Sequence, residues 1–180
     1  MTLKTIATER AFMVAEVHTT ALRKLGLFAT LVAFAWLPIL GARAIAADGL
    51  ITIQSHYGPK ETMRRLEAAV KANGLTVFAH IDHSTGAAEV GLALRPTDLL
   101  IFGNPKGGTP LMQSLQTIGI DLPLKALVWE DEKGMTWLSY NDPVWLVHRH
   151  GDAPGSDAAA HAVANGLQAV AAAATSDPAK

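Results

Sequence analysis

The chain has 180 residues, 49% of them hydrophobic, and a formal net charge of −1; that is room for one domain with a buried core. It has no cysteine, which excludes a disulfide framework, a thiolate metal site and thiol catalysis. From Asp48 onward ten Lys and Arg face fourteen Asp and Glu, and this mildly acidic balance without a basic cluster argues against a nucleic-acid partner.

The first 47 residues read as an export leader. Arg23 and Lys24 precede an uncharged run from Leu25 to Leu40, and Ala44-Ile45-Ala46 has the pattern of a cleavage site near Ala46 and Ala47. The run is shorter than the roughly 20 apolar residues of a spanning helix, and Pro38 and Arg43 close it. The expectation is a periplasmic or secreted product with an α+β domain over 48–152 and an Ala-rich helix and tail over 153–180. The alternative is an inner-membrane anchor at Leu25–Leu40.

In chain order, Leu50–His56 alternates as a first strand, with Ile51 and Ile53 on one face. Gly58-Pro59 opens a helix whose Met63, Leu66, Ala69 and Val70 share a face, and Asn73-Gly74 ends it. Leu75–His83 reads as a second strand, with Val77, Ala79 and Ile81 on one face and Phe78, His80 and Asp82 on the other. A short helical connector follows over Ser84–Val90. The apolar run Leu99–Phe102, bounded by turn residues, predicts a strand shielded on both faces.

Thr109-Pro110 predicts the N-terminus of the next helix, which Gly119 stops. Leu124–Glu130 and Met135–Tyr140, joined by a Gly-containing turn, predict a hairpin. Asp142-Pro143 caps a brief helix, and Ser156 is read as the cap of a last helix with a stripe of Ala160, Val163, Leu167, Val170 and Ala174. The order is β-α-β-β-α-β-β-α, an α+β body around one sheet of about five strands, antiparallel or mixed.

Several motifs in that order resemble one bacterial and archaeal family. They are Ile81-Asp82-His83 with Ala87 and Gly91, Phe102-Gly103-Asn104-Pro105, Gly108-Thr109-Pro110-Leu111-Met112-Gln113, Asp121-Leu122-Pro123-Leu124-Lys125 and Tyr140-Asn141-Asp142-Pro143. Together they are similar to the domain of unknown function 302 from about Leu50 to His150. The resemblance implies one antiparallel sheet with helices packed on it and often a homodimer. It implies no activity. Family members often carry a proline after the position of Gln113, where this chain has Ser114-Leu115-Gln116.

Two imidazoles and a carboxylate at His80, Asp82 and His83 are possible ligands for a divalent metal; the competing reading is that Asp82 caps the turn that follows it. Asn104, Asp121, Asn141 and Asp142 stand beside prolines at strand ends, where Asx side chains commonly bond the turn's own backbone. The functional expectation is that they gather with Asp82 and His83 into one polar pocket for a small ligand. An enzymatic alternative is a hydrolase or metal-dependent enzyme in which His83 works with Asp82 or Asp121. Gly103–Thr109 offers a weak phosphate cradle. Trp129, Trp137 and Trp145 suit a core, a dimer contact or a partner-binding module. No cofactor is identifiable, and His148 and His150 diverge on a helix.

Overall fold

A computed structural model describes residues 48–177; the leader, with its cleavage site and the Leu25–Leu40 run, lies outside the described residues. Five strands, β1 (Leu50–Gln54), β2 (Thr76–Asp82), β3 (Thr97–Gly103), β4 (Leu124–Glu130) and β5 (Thr136–Asn141), form one sheet. Its order is β1-β5-β4-β3-β2, and every pairing is antiparallel. The helices are α1 (Pro59–Ala72), α2 (His83–Glu89), α3 (Pro105–Ser114), α4 (Pro143–Arg149) and α5 (Ser156–Thr175), with a 3-10 turn at Gln116–Ile120. The α+β architecture and the order of elements are those the sequence predicts.

The main core lies between one face of the sheet and two helices. Leu100, Phe102, Ala126, Val128, Leu138 and Tyr140 meet Met63, Leu66 and Val70 of α1 and Leu167, Val170, Ala171 and Ala174 of α5. The periodicities of 2 and 3.6 bring these residues to facing surfaces. A satellite core of Leu111, Ile118, Leu146, Val147 and Ala160 joins α3, the 3-10 turn, α4 and the first half of α5. Helix α5 therefore closes both cores instead of trailing away as a tail. Any Cβ at Gly49 (φ +79°) would overlap the Trp145 ring, so α4 docks directly on the backbone that enters β1.

The structure corrects several local expectations. β3 is shielded on one face only: Leu100 and Phe102 are fully buried, whereas Leu99 and Ile101 are half-buried on the side that carries no helix. Continuous apolarity at Leu99–Phe102 reflects this second face, which is also apolar. In β2 the register shifts between Val77 and Ala79, so Val77 opposes Phe102 while His80 opposes Leu100. The bulge puts Val77 and His80 on the same face and leaves Ala79 and Ile81 on the other.

Helix α3 starts at Pro105, not at Thr109-Pro110, because the Asn104 side chain accepts the Lys106 N–H at 2.9 Å and Pro105 suits the first helical position. Pro110 falls inside the helix. Gly155, at φ +86°, is the N-cap of α5, and the Ser156 hydroxyl turns back to donate to the Ala153 carbonyl at 2.7 Å.

The one-sided sheet makes a stability prediction. Phe102→Ala should cost about 3–5 kcal/mol, and Leu99→Ala, three positions away on the opposite face, clearly less. Urea denaturation of the two variants at equal concentration checks the difference.

Candidate functional site

The sheet register divides the sequence-predicted residues between two ends. Asp82 opposes Asp98, whereas Thr76 opposes Gly103, Phe102 opposes Leu124 and Leu50 opposes Asn141. Asp82 and His83 therefore stand at one end, and Asn104, Asp121, Asn141 and Asp142 at the other, about 20 Å away along seven-residue strands. The six residues do not line one pocket. An antiparallel pairing sends successive strand ends to opposite sides of the sheet, which the shared strand-end sequence pattern conceals.

Each of these side chains has a local task that the geometry makes plain. Asp82 caps α2, accepting the Thr85 N–H at 2.8 Å and the Thr85 hydroxyl at 2.7 Å. The Thr85 hydroxyl, then the Thr85 amide, hold its carboxyl below the usual carboxylate range, with smaller help from Ser84. His83 opens α2 on the surface, and its side chain makes no hydrogen bond among the described residues. His80 faces α1: its Nε2 lies 3.0 Å from Asp98 and its Nδ1 3.4 Å from Glu67.

Those contacts engage both ring nitrogens of His80, and both oxygens of the Asp82 carboxylate are bonded to Thr85. Among the described residues no group of three or more His, Asp or Glu side chains has the geometry to hold a metal ion. The proposed pairing of His83 with Asp121 is likewise separated by the length of the sheet. Asp121 instead accepts from His150 Nε2 at 2.7 Å and Arg149 Nη1 at 3.3 Å.

At the other end, Asn104 caps α3 and donates to the Gly74 carbonyl at 3.1 Å. Asp142 caps α4 through the Val144 N–H at 2.9 Å. Asn141 is exposed beside the uncovered sheet face. The Gly103–Thr109 segment is not a phosphate cradle: the Lys106 amide is taken by the Asn104 side chain, and the Gly107 and Gly108 amides bond the Asn104 carbonyl at 3.0 and 3.1 Å. With Pro105 lacking an N–H, the first turn has no amide to spare.

The same segment builds something that the polar motifs do not announce. Between α3, the 3-10 turn, α5 and the ends of β3 and β4 lies a cleft of about 690 Å³. Its walls are apolar, with Phe78, Leu122 and Val163 among them, and glycines at 107, 108 and 166 replace side chains that would fill it. A Cβ on Gly166 would meet no atom within 4 Å, and one on Gly107 would stop 3.7 Å from Val163. Asn104, Lys106 and Thr109 are the polar exceptions. The Lys106 side chain is exposed and makes no ion pair among the described residues. Repeated glycine across two helices was the available sequence signal, legible only once α3 and α5 are known to face each other.

A second concavity, about 480 Å³, lies on the uncovered face of the sheet around Leu99, Leu127, Trp129 and Trp137. The two indoles stack with centroids 6.2 Å apart. Their N–H groups are satisfied within the fold: Trp129 donates to the Ser139 hydroxyl at 2.9 Å and Trp137 to Asp131 at 2.8 Å.

Comparison with known proteins agrees with this architecture. The family model described as Domain of unknown function DUF302 matches residues 51–174. A crystal structure of the uncharacterized conserved protein DUF302 from Bacillus stearothermophilus superimposes with a TM-score of 0.65 at 26% identity, covering 71% of this chain and 99% of that one. The chain is also 48% identical over 127 residues to a protein of Brucella suis biovar 1 (strain 1330) named fluoride-specific ion channel FluC 1, covering 71% of this chain and 50% of that protein. A fluoride-specific ion channel FluC 2 of Brucella melitensis biotype 1 matches at the same identity, with 47% of its length covered. The chain thus spans about half the length of the curated relatives it matches.

The Asp82 cap carries a pH prediction. A carboxyl held low in the folded state adds stability that is fully present above its unfolded pKa and is lost as pH falls through the lowered folded value. Asp82→Ala should therefore lower the urea midpoint at pH 7, and the gap to the unmodified protein should narrow in strong acid. Paired urea titrations at the two pH values read it directly.

Proposed function

The chain belongs to the DUF302 family, and we propose that its domain is a binding module for a small, largely apolar molecule with an anionic group. The observation that carries this reading is the 690 Å³ cleft with Lys106 at its edge. Binding sites for small molecules are concave, mostly apolar and equipped with a few polar groups that orient the ligand. Here apolar walls would take the body of the ligand, and the Lys106 ammonium would pair with its anion. The glycines at 107, 108 and 166 keep the volume free.

The module acts as an exported homodimer in this proposal. Half-exposed Leu99, Leu127, Trp129 and Trp137 on the uncovered sheet face support self-association, since an apolar patch rich in tryptophan is characteristic of interface cores. The leader preceding Asp48 supports export. The Brucella relatives place a homologous segment within proteins named as fluoride channels. A 127-residue match is too long to lie within residues 1–47, so it takes in most of the described domain. Among the described residues no helix is long and apolar enough to cross a membrane. This supports an accessory role for the domain beside a conducting part, and not conduction by the domain itself.

Titration with 1-anilinonaphthalene-8-sulfonate, an apolar anion whose emission reports an apolar site, tests the cleft. Saturable binding is expected, lost in Gly166→Phe, which fills the cleft from α5, and weakened about threefold in Lys106→Ala as one exposed, screened ion pair is removed. Undiminished binding in Gly166→Phe overturns the reading. Native mass measurement should show a dimer that Leu127→Arg converts to monomers.

A further inference from the structure

The Asp121 carboxylate and the His150 ring sit at the ends of two neighbouring elements, the 3-10 turn and α4. Their side chains are nearly buried, with 15% and 11% of their surface exposed. A carboxylate only accepts hydrogen bonds, so the 2.7 Å contact fixes the proton of a neutral His150 on Nε2. Arg149 Nη1 donates to the other carboxylate oxygen at 3.3 Å and helps hold the Asp121 side chain in place. Nδ1 is then a lone-pair acceptor, and the Thr117 hydroxyl, 3.0 Å away, donates to it.

Thr117 itself is exposed. The line therefore runs from a nearly buried carboxylate through an oriented imidazole to a hydroxyl that a solute reaches. This is the connectivity by which a weak hydroxyl nucleophile is activated, with a base to take its proton and a third group to orient the base. The roles of the two ring nitrogens are exchanged relative to the serine protease arrangement.

We propose that Thr117, His150 and Asp121 form an acyl-transfer site that accepts small carboxylic esters. Thr117 Oγ attacks the ester carbonyl carbon while its proton passes to His150 Nδ1, and Asp121 stabilises the resulting imidazolium. The tetrahedral adduct collapses with cleavage of the bond to the leaving oxygen, which takes the proton from Nδ1. The acyl group is left on Thr117. Water then attacks that ester, again giving a proton to Nδ1. Collapse returns the proton to Thr117 Oγ and releases the carboxylic acid. No redox partner is needed and the proton count closes. The site is independent of the apolar cleft: it uses none of the glycines or Lys106.

The test uses the full-length chain with p-nitrophenyl acetate, following nitrophenolate release and locating the acetyl group by peptide mass mapping. The expected result is an acetyl group on Thr117, with turnover reduced about 100-fold in His150→Gln, the order contributed by a positioned general base. Thr117→Ala should abolish the adduct and Thr117→Ser should restore it. Because Thr117 is exposed, neither change touches the core. Turnover in Thr117→Ala equal to that of the unmodified protein, or acetyl groups found on lysines and not on Thr117, overturns the proposal.

Discussion

The contact on which this structure depends is the packing of α5 against α1 and the sheet. Ala160, Leu167, Val170, Ala171 and Ala174 are all buried, and they lie on one face of a twenty-residue helix. Small side chains allow the helix to approach closely. Its second half completes the main core over Leu100 and Phe102, while its first half closes the satellite core with Leu111 and Ile118. Arg65 of α1 adds a polar tie by donating to the Ala173 carbonyl at 3.1 Å near the end of α5. Because α5 bridges two cores, the space beside its midpoint is bounded by rigid elements, and Gly166 falls at that midpoint. The cleft is a consequence of how the last helix must lie.

With both long helices on one side, the sheet's other face is left to its own side chains. Trp129 and Trp137 lie across it, and they shield the Thr52 and Ser139 hydroxyls, which meet at 2.9 Å and are almost fully buried. A two-layer body with one apolar uncovered sheet face is well suited to association with a second surface. The domain thus separates its apolar features spatially: a cleft at the glycine-rich end between α3 and α5, and a shallower indole-bearing concavity behind the sheet.

Much of the fold was legible in the residues. The 3.6-residue spacing of Met63, Leu66, Ala69 and Val70 specified α1 and its buried face, and Gly74, at φ +68°, ends it as its position implies. The hairpin of β4 and β5 and the Asp142-Pro143 start of α4 followed from turn and cap chemistry. The failures have physical causes. Two cap-plus-proline signals, Asn104-Pro105 and Thr109-Pro110, compete for the start of α3, and Asn104, whose side chain caps the helix, prevails. A bulge at Val77 and Ala79 reverses the faces of β2, which alternation alone cannot anticipate. For the site, Asp121 was visible as a polar strand-end residue, but its partner His150 is 29 residues away, and Thr117 meets that ring from 33 residues away, so packing of the satellite core is what brings the three together. The cleft was hidden because absent side chains carry no polarity signal; glycine reads first as a turn residue.

The central claim is that the volume kept open by Gly107, Gly108 and Gly166 is where this domain takes its ligand. Amide and methyl chemical-shift mapping of the isotope-labelled protein during titration with decanoate, a simple apolar anion, addresses it most directly. The account predicts saturable shifts confined to the α3 and α5 walls, with Val163 and the glycine amides leading. Shifts centred on Trp129 and Trp137, or none that saturate, would contradict it.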